Sequence, residues 1–333
     1  MLFQPSYQLH IIQENQFEAA ITEIETTLQK YATRGSLTTF DGCNLEYEYY
    51  LAENSRASVV IVHGFTEFYE KYYEMTWYLL NMGYNVFLYD HRGHGLSGQT
   101  NKQSEEEPRL VHVDHFQDYV QDLTQVIDKV VLPASANLPI YLFAHSMGGA
   151  VGTFYLASDE CKVSKAVLSS PMVCPVTEGI PAPIVRIASR HYGKKYGWTT
   201  RFPHSHNFDP NVDHCKTSDV SYARFKHNLE YRIRDTRYQT SASTNCWMHQ
   251  ALSIQKPLLS PAVTNNIHAK VLLLSAENDT VVKNHLQKKL ASKLSDCSFQ
   301  VVPNSKHTTY TGSYEVLELL YHSMLDFYQD TTN

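Results

Sequence analysis

No apolar run in the 333-residue chain approaches 18 residues, so no segment is expected to span a bilayer. The opening stretch MLFQPSYQLHIIQENQFEAA lacks a basic region, an apolar segment and a small-residue cleavage site, so no secretory leader is expected. The six cysteines (Cys43, Cys161, Cys174, Cys215, Cys246 and Cys297) include no C-x-x-C pair. That leaves a metal or redox motif unsupported and fits reduced thiols in a cytoplasmic protein. Close histidine pairs stand at His112/His115 and His204/His206, but no third and fourth ligand follows at metal spacing, so no metal is expected. Positive charge is also short. A net charge of −6 argues against a nucleic-acid partner held by bulk electrostatics. Internal repeats and low-complexity tracts are absent. What is present, 43% hydrophobic and 19% charged residues, is enough for a buried core in a globular chain.

Hydrophobic periodicity gives the organisation. Phe17, Ile21, Ile24, Leu28 and Tyr31 share one helical face within residues 12–31. SLTTFDGCNLEYEYYL (36–51) alternates around an Asp-Gly pair, which predicts a hairpin. SVVIVHG (58–64) reads as a buried central strand, YNVFLYDHRGHG (84–95) repeats its strand-to-glycine pattern, and PIYLFAHS (139–146), KAVLSSP (165–171), KVLLLSAEND (270–279) and SFQVVP (298–303) read as further strands. Helical spacing is expected near 70–82, over 114–130 (Phe116, Val120, Leu123, Ile127, Val130), from about 147, and over 313–328. Such alternation implies a mostly parallel central sheet flanked by helices. The rhythm breaks once, after the prolines at 171, 175, 181 and 183. The expected division is an N-terminal helical extension (1–35), an α/β core (36–172 and 268–333) and a helical cap insertion (173–267).

Ser146 stands where a strand turns into a helix, in AHSMG. This is an A-x-S-x-G variant of the strained turn that lifts a nucleophile above a sheet edge. A serine hydroxyl needs a base, and the base an orienting acid. Asp279 follows the strand VLLLS, with Glu277 as the alternative acid, and His307 follows FQVVP. Order and placement fit a Ser–acid–His triad. The backbone amides of Phe65, after Gly64, and of Met147, at the helix start, are the expected oxyanion donors. The block DHRGHGLSG (90–98) reads as structural, with Asp90 and Arg92 bonded to loops beneath the site.

Together these blocks resemble the α/β-hydrolase superfamily over nearly all of the chain after residue 36. HGFTEFYEKYYEMTWYLLNMGYNVFLYDHRGHGLSG, HVDHFQDYVQDL and FAHSMGGAV resemble the branch of monoacylglycerol lipases and bacterial lysophospholipase L2. The alanine before His-Ser, YARFKHNLEYRIRD and WMHQAL are similar to the latter. The resemblance implies an α/β-hydrolase fold with a cap, Ser146 as nucleophile, Asp279 as acid, His307 as base, and no cofactor. The expected activity is cleavage of a carboxylic ester of a single-chain lipid. The alternatives are a small-ester esterase, an S33-type peptidase with Glu67, Glu70 or Glu178 anchoring an α-amino group, and a non-catalytic hydrolase-fold binding protein.

Residues 179–208 carry no acidic residue but hold Arg186, Arg190, Lys194, Lys195 and Arg201, with Ile184, Ile187 and Tyr192 between them. One reading is a solvated basic face. The other is contact with anionic headgroups of the substrate or of a membrane surface, which makes Arg186 and Arg190, beside Glu67, the candidate substrate contacts. The protein is expected to be cytoplasmic, with the cap as its route to a membrane surface.

Overall fold

The computed structural model describes residues 1–98, 109–203 and 205–330. His204, from one of the histidine pairs, lies outside the described residues. Eight strands form one sheet in the order β1-β2-β4-β3-β6-β7-β9-β10. They are β1 (Thr33–Thr38), β2 (Asn44–Tyr50), β3 (Ala57–Val62), β4 (Tyr84–Tyr89), β6 (Ile140–His145), β7 (Val163–Ser169), β9 (Lys270–Ala276) and β10 (Cys297–Val302). β1 pairs with β2 and β2 with β4 in antiparallel fashion, and every other neighbouring pair is parallel. The Asp41-Gly42 turn closes the first hairpin, with Leu37 opposite Leu45. β1 begins at Thr33, inside the stretch expected to belong to the extension.

Side chains alternate across the sheet and so feed two cores. Val60, Val62, Leu142, Ala144, Val271 and Leu273 pack under α3 (Gln117–Val126), α5 (Met147–Leu156) and α11 (Asn284–Ala291). Val59, Ile61, Phe143, Leu272 and Leu274 pack under α1 (Phe17–Tyr31), α2 (Tyr73–Asn81) and α12 (Tyr314–Gln329). β3 and β4 are buried along their whole length, which is why they read as unbroken apolar runs. A π turn at Ile127–Val131 leads α3 into the short α4 (Leu132–Ala134).

Between β7 and β9 the chain leaves the sheet. It forms α6 (Ala182–Tyr196), α7 (Tyr222–Arg234), α8 (Asn245–Ser253) and the short α9 (Gln255–Leu258) and α10 (Pro261–Thr264). A two-residue strand, β8 (Ala242–Ser243), pairs in parallel with β5 (Leu110–Val111). α7 is fastened to the start of the chain. Arg224 is buried and donates to Glu74 on α2 at 2.8 and 2.5 Å and to the Ile12 carbonyl at 3.0 Å. Glu25 of α1 accepts from Tyr231 at 2.6 Å and pairs with His227 at 2.9 Å. Among the described residues no helix is long and apolar enough to cross a membrane.

Candidate active site

Ser146 lies between β6 and α5 with φ 52° and ψ −116°. A non-glycine residue in this region is strained by roughly 1–3 kcal/mol and persists only where its surroundings over-determine it. They do so here. The Ser146 amide donates to the Ser169 carbonyl at 3.0 Å, and its carbonyl accepts from Met172 at 2.8 Å. Gly148 has no space for a side chain, because a Cβ there would collide with the Val62 and His63 carbonyls. Gly152 lets α5 lie against β6, where an added Cβ would come within 3.3 Å of the Ala144 methyl. The strand-to-helix corner therefore needs small residues on the helix side, and alanine suffices at 144.

The three residues expected as a triad meet. The Ser146 hydroxyl stands 2.8 Å from His307 Nε2, and His307 Nδ1 stands 2.8 Å from Asp279 Oδ2. Asp279 Oδ1 accepts from the Val281 and Val282 amides at 2.8 and 3.0 Å, which fixes the carboxylate and leaves Oδ2 for the imidazole. Its side chain is fully buried. Glu277, the alternative acid, instead accepts from the Asn304 amide at 2.8 Å. Burial pushes the His307 imidazole down. The Asp279 hydrogen bond pulls it up without cancelling that effect, so the ring sits below the ordinary imidazole value. It is therefore neutral near pH 7 and able to accept the serine proton.

The turn after β3 lies against the serine. A Cβ on Gly64 would come within 3.1 Å of Ser146 Cβ. The amides of Phe65 and Met147 donate to no acceptor among the described residues. Two free N–H groups beside a serine are what a developing oxyanion requires. The Phe65 side chain is not a passenger. It stacks on Trp247 of α8 with ring centroids 3.9 Å apart, so the segment between β7 and β9 helps to hold this turn.

Glu67, expected as a substrate contact, lies at the cavity over Ser146 with its carboxylate already held by neighbours. Its carboxylate accepts from the Gly64 amide at 2.6 Å and from Tyr72 and Tyr310 at 2.7 Å each. It also pairs with His145 at 3.1 Å and Lys71 at 3.6 Å. Burial alone would raise this carboxyl, but His145, Lys71 and the hydrogen bonds outweigh it and hold the group well below the usual range. His145 Nε2 in turn lies 3.2 Å from the His307 carbonyl. Glu67 thus ties the Gly64 turn to the histidine loop. Glu70 is buried against Tyr238 and Glu178 is exposed, and neither lines the cavity at Ser146.

The DHRGHGLSG block packs beneath the site. Asp90 accepts from the Tyr69 and Leu96 amides at 2.8 and 2.7 Å. Arg92, almost fully buried, forks onto Asp122 of α3 at 2.7 and 2.6 Å and reaches Asp41 in the hairpin turn at 2.7 Å. Its loop contact is therefore with the first hairpin. His63, His91 and His94 cluster with centroids 4.5–6.2 Å apart. Burial drives His63 down to about 4 and His94 to about 3, so these rings are neutral packing groups. Among the described residues no cluster of His, Cys, Asp and Glu is placed to hold a metal.

A cavity of about 340 Å³ opens over Ser146 and His307. Phe65, Phe68, Val212, Phe225, Leu229 and Val281 form an apolar part of its wall, and the rest is polar, with Glu67, Lys71, Asp219, Asn228 and Arg232 among the lining residues. Arg186 and Arg190 are not among its lining residues. α6 buries Ala182, Val185, Ser189 and Gly193, which turns both arginines to solvent. The sequence carried no local signal for the roles of Tyr72, five residues from Glu67, of His145, next to Ser146, or of the distant Tyr310 and Trp247.

Known proteins share this architecture. The chain is 27% identical to lysophospholipase L2 of Escherichia coli over 328 residues, covering 95% of this chain and 93% of that one. It is 29% identical to the probable lysophospholipase L2 of Haemophilus influenzae over 76% of its own length and 77% of that protein. A monoglyceride lipase of Mus musculus is 36% identical over 118 residues, about a third of either chain. A soluble variant of monoglyceride lipase from Saccharomyces cerevisiae, solved with a substrate analog, superposes with a TM-score of 0.73 at 17% identity, over 91% of this chain and 96% of that one. The profile of the family described as serine aminopeptidase, S33, matches residues 53–312, and the chain belongs to that family of α/β hydrolases.

Proposed function

We propose that this protein is a serine hydrolase that cleaves the carboxylic ester of a single-chain lipid, a lysophospholipid or monoacylglycerol. Ser146 attacks the ester carbonyl as His307 takes its proton. The Phe65 and Met147 amides receive the oxyanion, and Asp279 holds the imidazole in the required orientation. His307 then protonates the leaving alcohol, and an acyl-enzyme remains on Ser146. Water, deprotonated by His307, attacks that acyl group, and the same proton returns to Ser146 as the fatty acid leaves. Water is the only co-reactant needed for the balance.

The observation that carries this reading is the relay of two 2.8 Å contacts, serine to imidazole to carboxylate, in a cavity whose wall is apolar in part. The relatives named lysophospholipase and monoglyceride lipase support a lipid ester over a peptide bond. In this reading the residues before β1 are an extension, β1 to residue 172 and 268–333 the catalytic core, and 173–267 a cap. The protein works in the cytoplasm, and the basic, partly apolar outer face of α6 brings it to a membrane surface.

A fluorophosphonate probe should label the wild type and fail to label Ser146→Ala. A panel of lysophospholipid, monoacylglycerol, p-nitrophenyl esters and aminoacyl amides should show turnover concentrated on the lipid esters. Labelling that survives Ser146→Ala, or turnover confined to the amides, overturns the reading.

A further inference from the structure

The cavity that holds Ser146 and His307 is also lined by Arg232, near the end of α7. Its partners are unusual for a guanidinium withdrawn from water. Nε donates to the Tyr238 carbonyl at 3.2 Å and Nη2 to the Thr240 carbonyl at 2.8 Å, while the Phe208 ring lies 4.4 Å from the guanidinium carbon. Nη1 donates to no described atom, and no carboxylate among the described residues comes within 4.0 Å. Other arginines of the same helix are treated differently: Arg224 is paired with Glu74 at 2.5 Å and Arg234 with Glu230 at 2.9 Å. Lys71, the other cation of the cavity, is balanced by Glu67 at 3.6 Å. Asp219 also lines the cavity, but its carboxylate accepts from Thr311 at 2.6 Å. Burial lowers the Arg232 guanidinium to about 10, with Asp219 acting against that fall.

A half-buried cation held by carbonyl oxygens has lost hydration, and Asp219, the carboxylate that acts on it, makes no ion pair with it. An anion entering the cavity supplies a paired counter-charge. The fatty-acid carboxylate forms at Ser146, and Arg232 makes no hydrogen bond to Ser146, His307 or Asp279. An anion on the leaving group can reach it from elsewhere in the same cavity. We propose that Arg232 is the headgroup contact of this hydrolase and receives the phosphodiester of a lysophospholipid whose acyl ester lies at Ser146. The proposal rests on the lipid-ester reading above and chooses within it. A monoacylglycerol brings the guanidinium no anion, whereas a phosphodiester gives it charge-assisted hydrogen bonds.

The test compares wild type, Arg232→Gln and Arg232→Lys on two substrates of one acyl chain, 1-oleoyl lysophosphatidylethanolamine and 1-oleoylglycerol, in the same mixed micelles. Arg232→Gln should lower the ratio of their kcat/KM values by about 10–100-fold, with Arg232→Lys between it and the wild type. An unchanged ratio overturns the proposal. If both rates fall together, Arg232 only holds the Tyr238 and Thr240 carbonyls. A second arm needs no variant: glycerophosphoethanolamine should inhibit wild-type hydrolysis of p-nitrophenyl butyrate. Inhibition by inorganic phosphate but not by glycerophosphoethanolamine marks a free-phosphate site and overturns the headgroup assignment. A wild type that cleaves neither lipid but does cleave the butyrate sinks the lipid reading, and this second arm still decides on Arg232.

Discussion

His307 lies between a hydroxyl and a carboxylate, and burial sets its proton affinity against the pull of Asp279. A base must be neutral to act. Its lowered value therefore extends activity to the acid side of the ordinary imidazole value of about 6.5. On p-nitrophenyl butyrate, kcat/KM should stay level through pH 7 and fall with an apparent pKa below that ordinary value. An acid limb centred above pH 7 contradicts this assignment. Asp279→Asn should cost on the order of 10⁴-fold in kcat by freeing the imidazole to take the wrong tautomer, while Ser146 stays in place. The meeting of these three residues was legible in sequence because each stands at or shortly after the C-terminal end of a strand, a local pattern. Glu67 was visible as an acid but not as a tie. Its partners Tyr72, His145 and Tyr310 stand 5, 78 and 243 positions away, and only the fold brings them together. Phe65 was expected to contribute its amide alone. Its stacking on Trp247 is a contact between distant segments that no local spacing encodes.

The same division holds among the elements. Strands buried on both faces are continuous apolar runs, and α1 shows Phe17, Ile21, Ile24 and Leu28 at helical spacing, so these elements were readable from local pattern. β8 has two residues and exists through its pairing with β5, which no periodicity can show. α7 lies in the stretch expected only as a helical cap, and its position is set by Arg224, which joins it to Glu74 and to the Ile12 carbonyl. Removing one member of a buried ion pair leaves the other charge without compensation, which costs roughly 3–5 kcal/mol. Arg224→Ala should lower unfolding stability by that amount in urea titration. The double variant Arg224→Met with Glu74→Leu should recover most of the loss, because it buries no lone charge. If Arg224→Ala proves neutral, α7 is held by its apolar contacts and the clamp is incidental.

At the scale of the molecule, α6 differs from α7 in what it shows to solvent. Ile184 and Ile187 are 56% and 65% exposed, and Val176 and Ile180 are exposed just before them. Arg186, Arg190, Lys194 and Lys195 are exposed on the same helix, and no acid occurs from residue 179 to 208. A solvated basic face needs no isoleucines outside it, whereas a helix lying in an anionic interface uses both kinds of residue. Near such a surface each basic residue is worth about 1 kcal/mol. Replacing all four by Gln should thus weaken binding to vesicles containing phosphatidylglycerol by two to three orders of magnitude, roughly the sum of four such terms. Ile184→Ser with Ile187→Ser should weaken binding to neutral and anionic vesicles alike, because apolar insertion does not depend on surface charge. The outer face of α6 is not part of the cavity, so the four-Gln variant should keep its rate on p-nitrophenyl butyrate and lose rate on vesicle-borne lipid. Raising salt should reproduce the four-Gln phenotype in the wild type, since a Debye length near 3 Å at 1 M screens the attraction. Vesicle sedimentation that does not respond to the four substitutions would leave α6 as a solvated basic face and remove the membrane surface from the account.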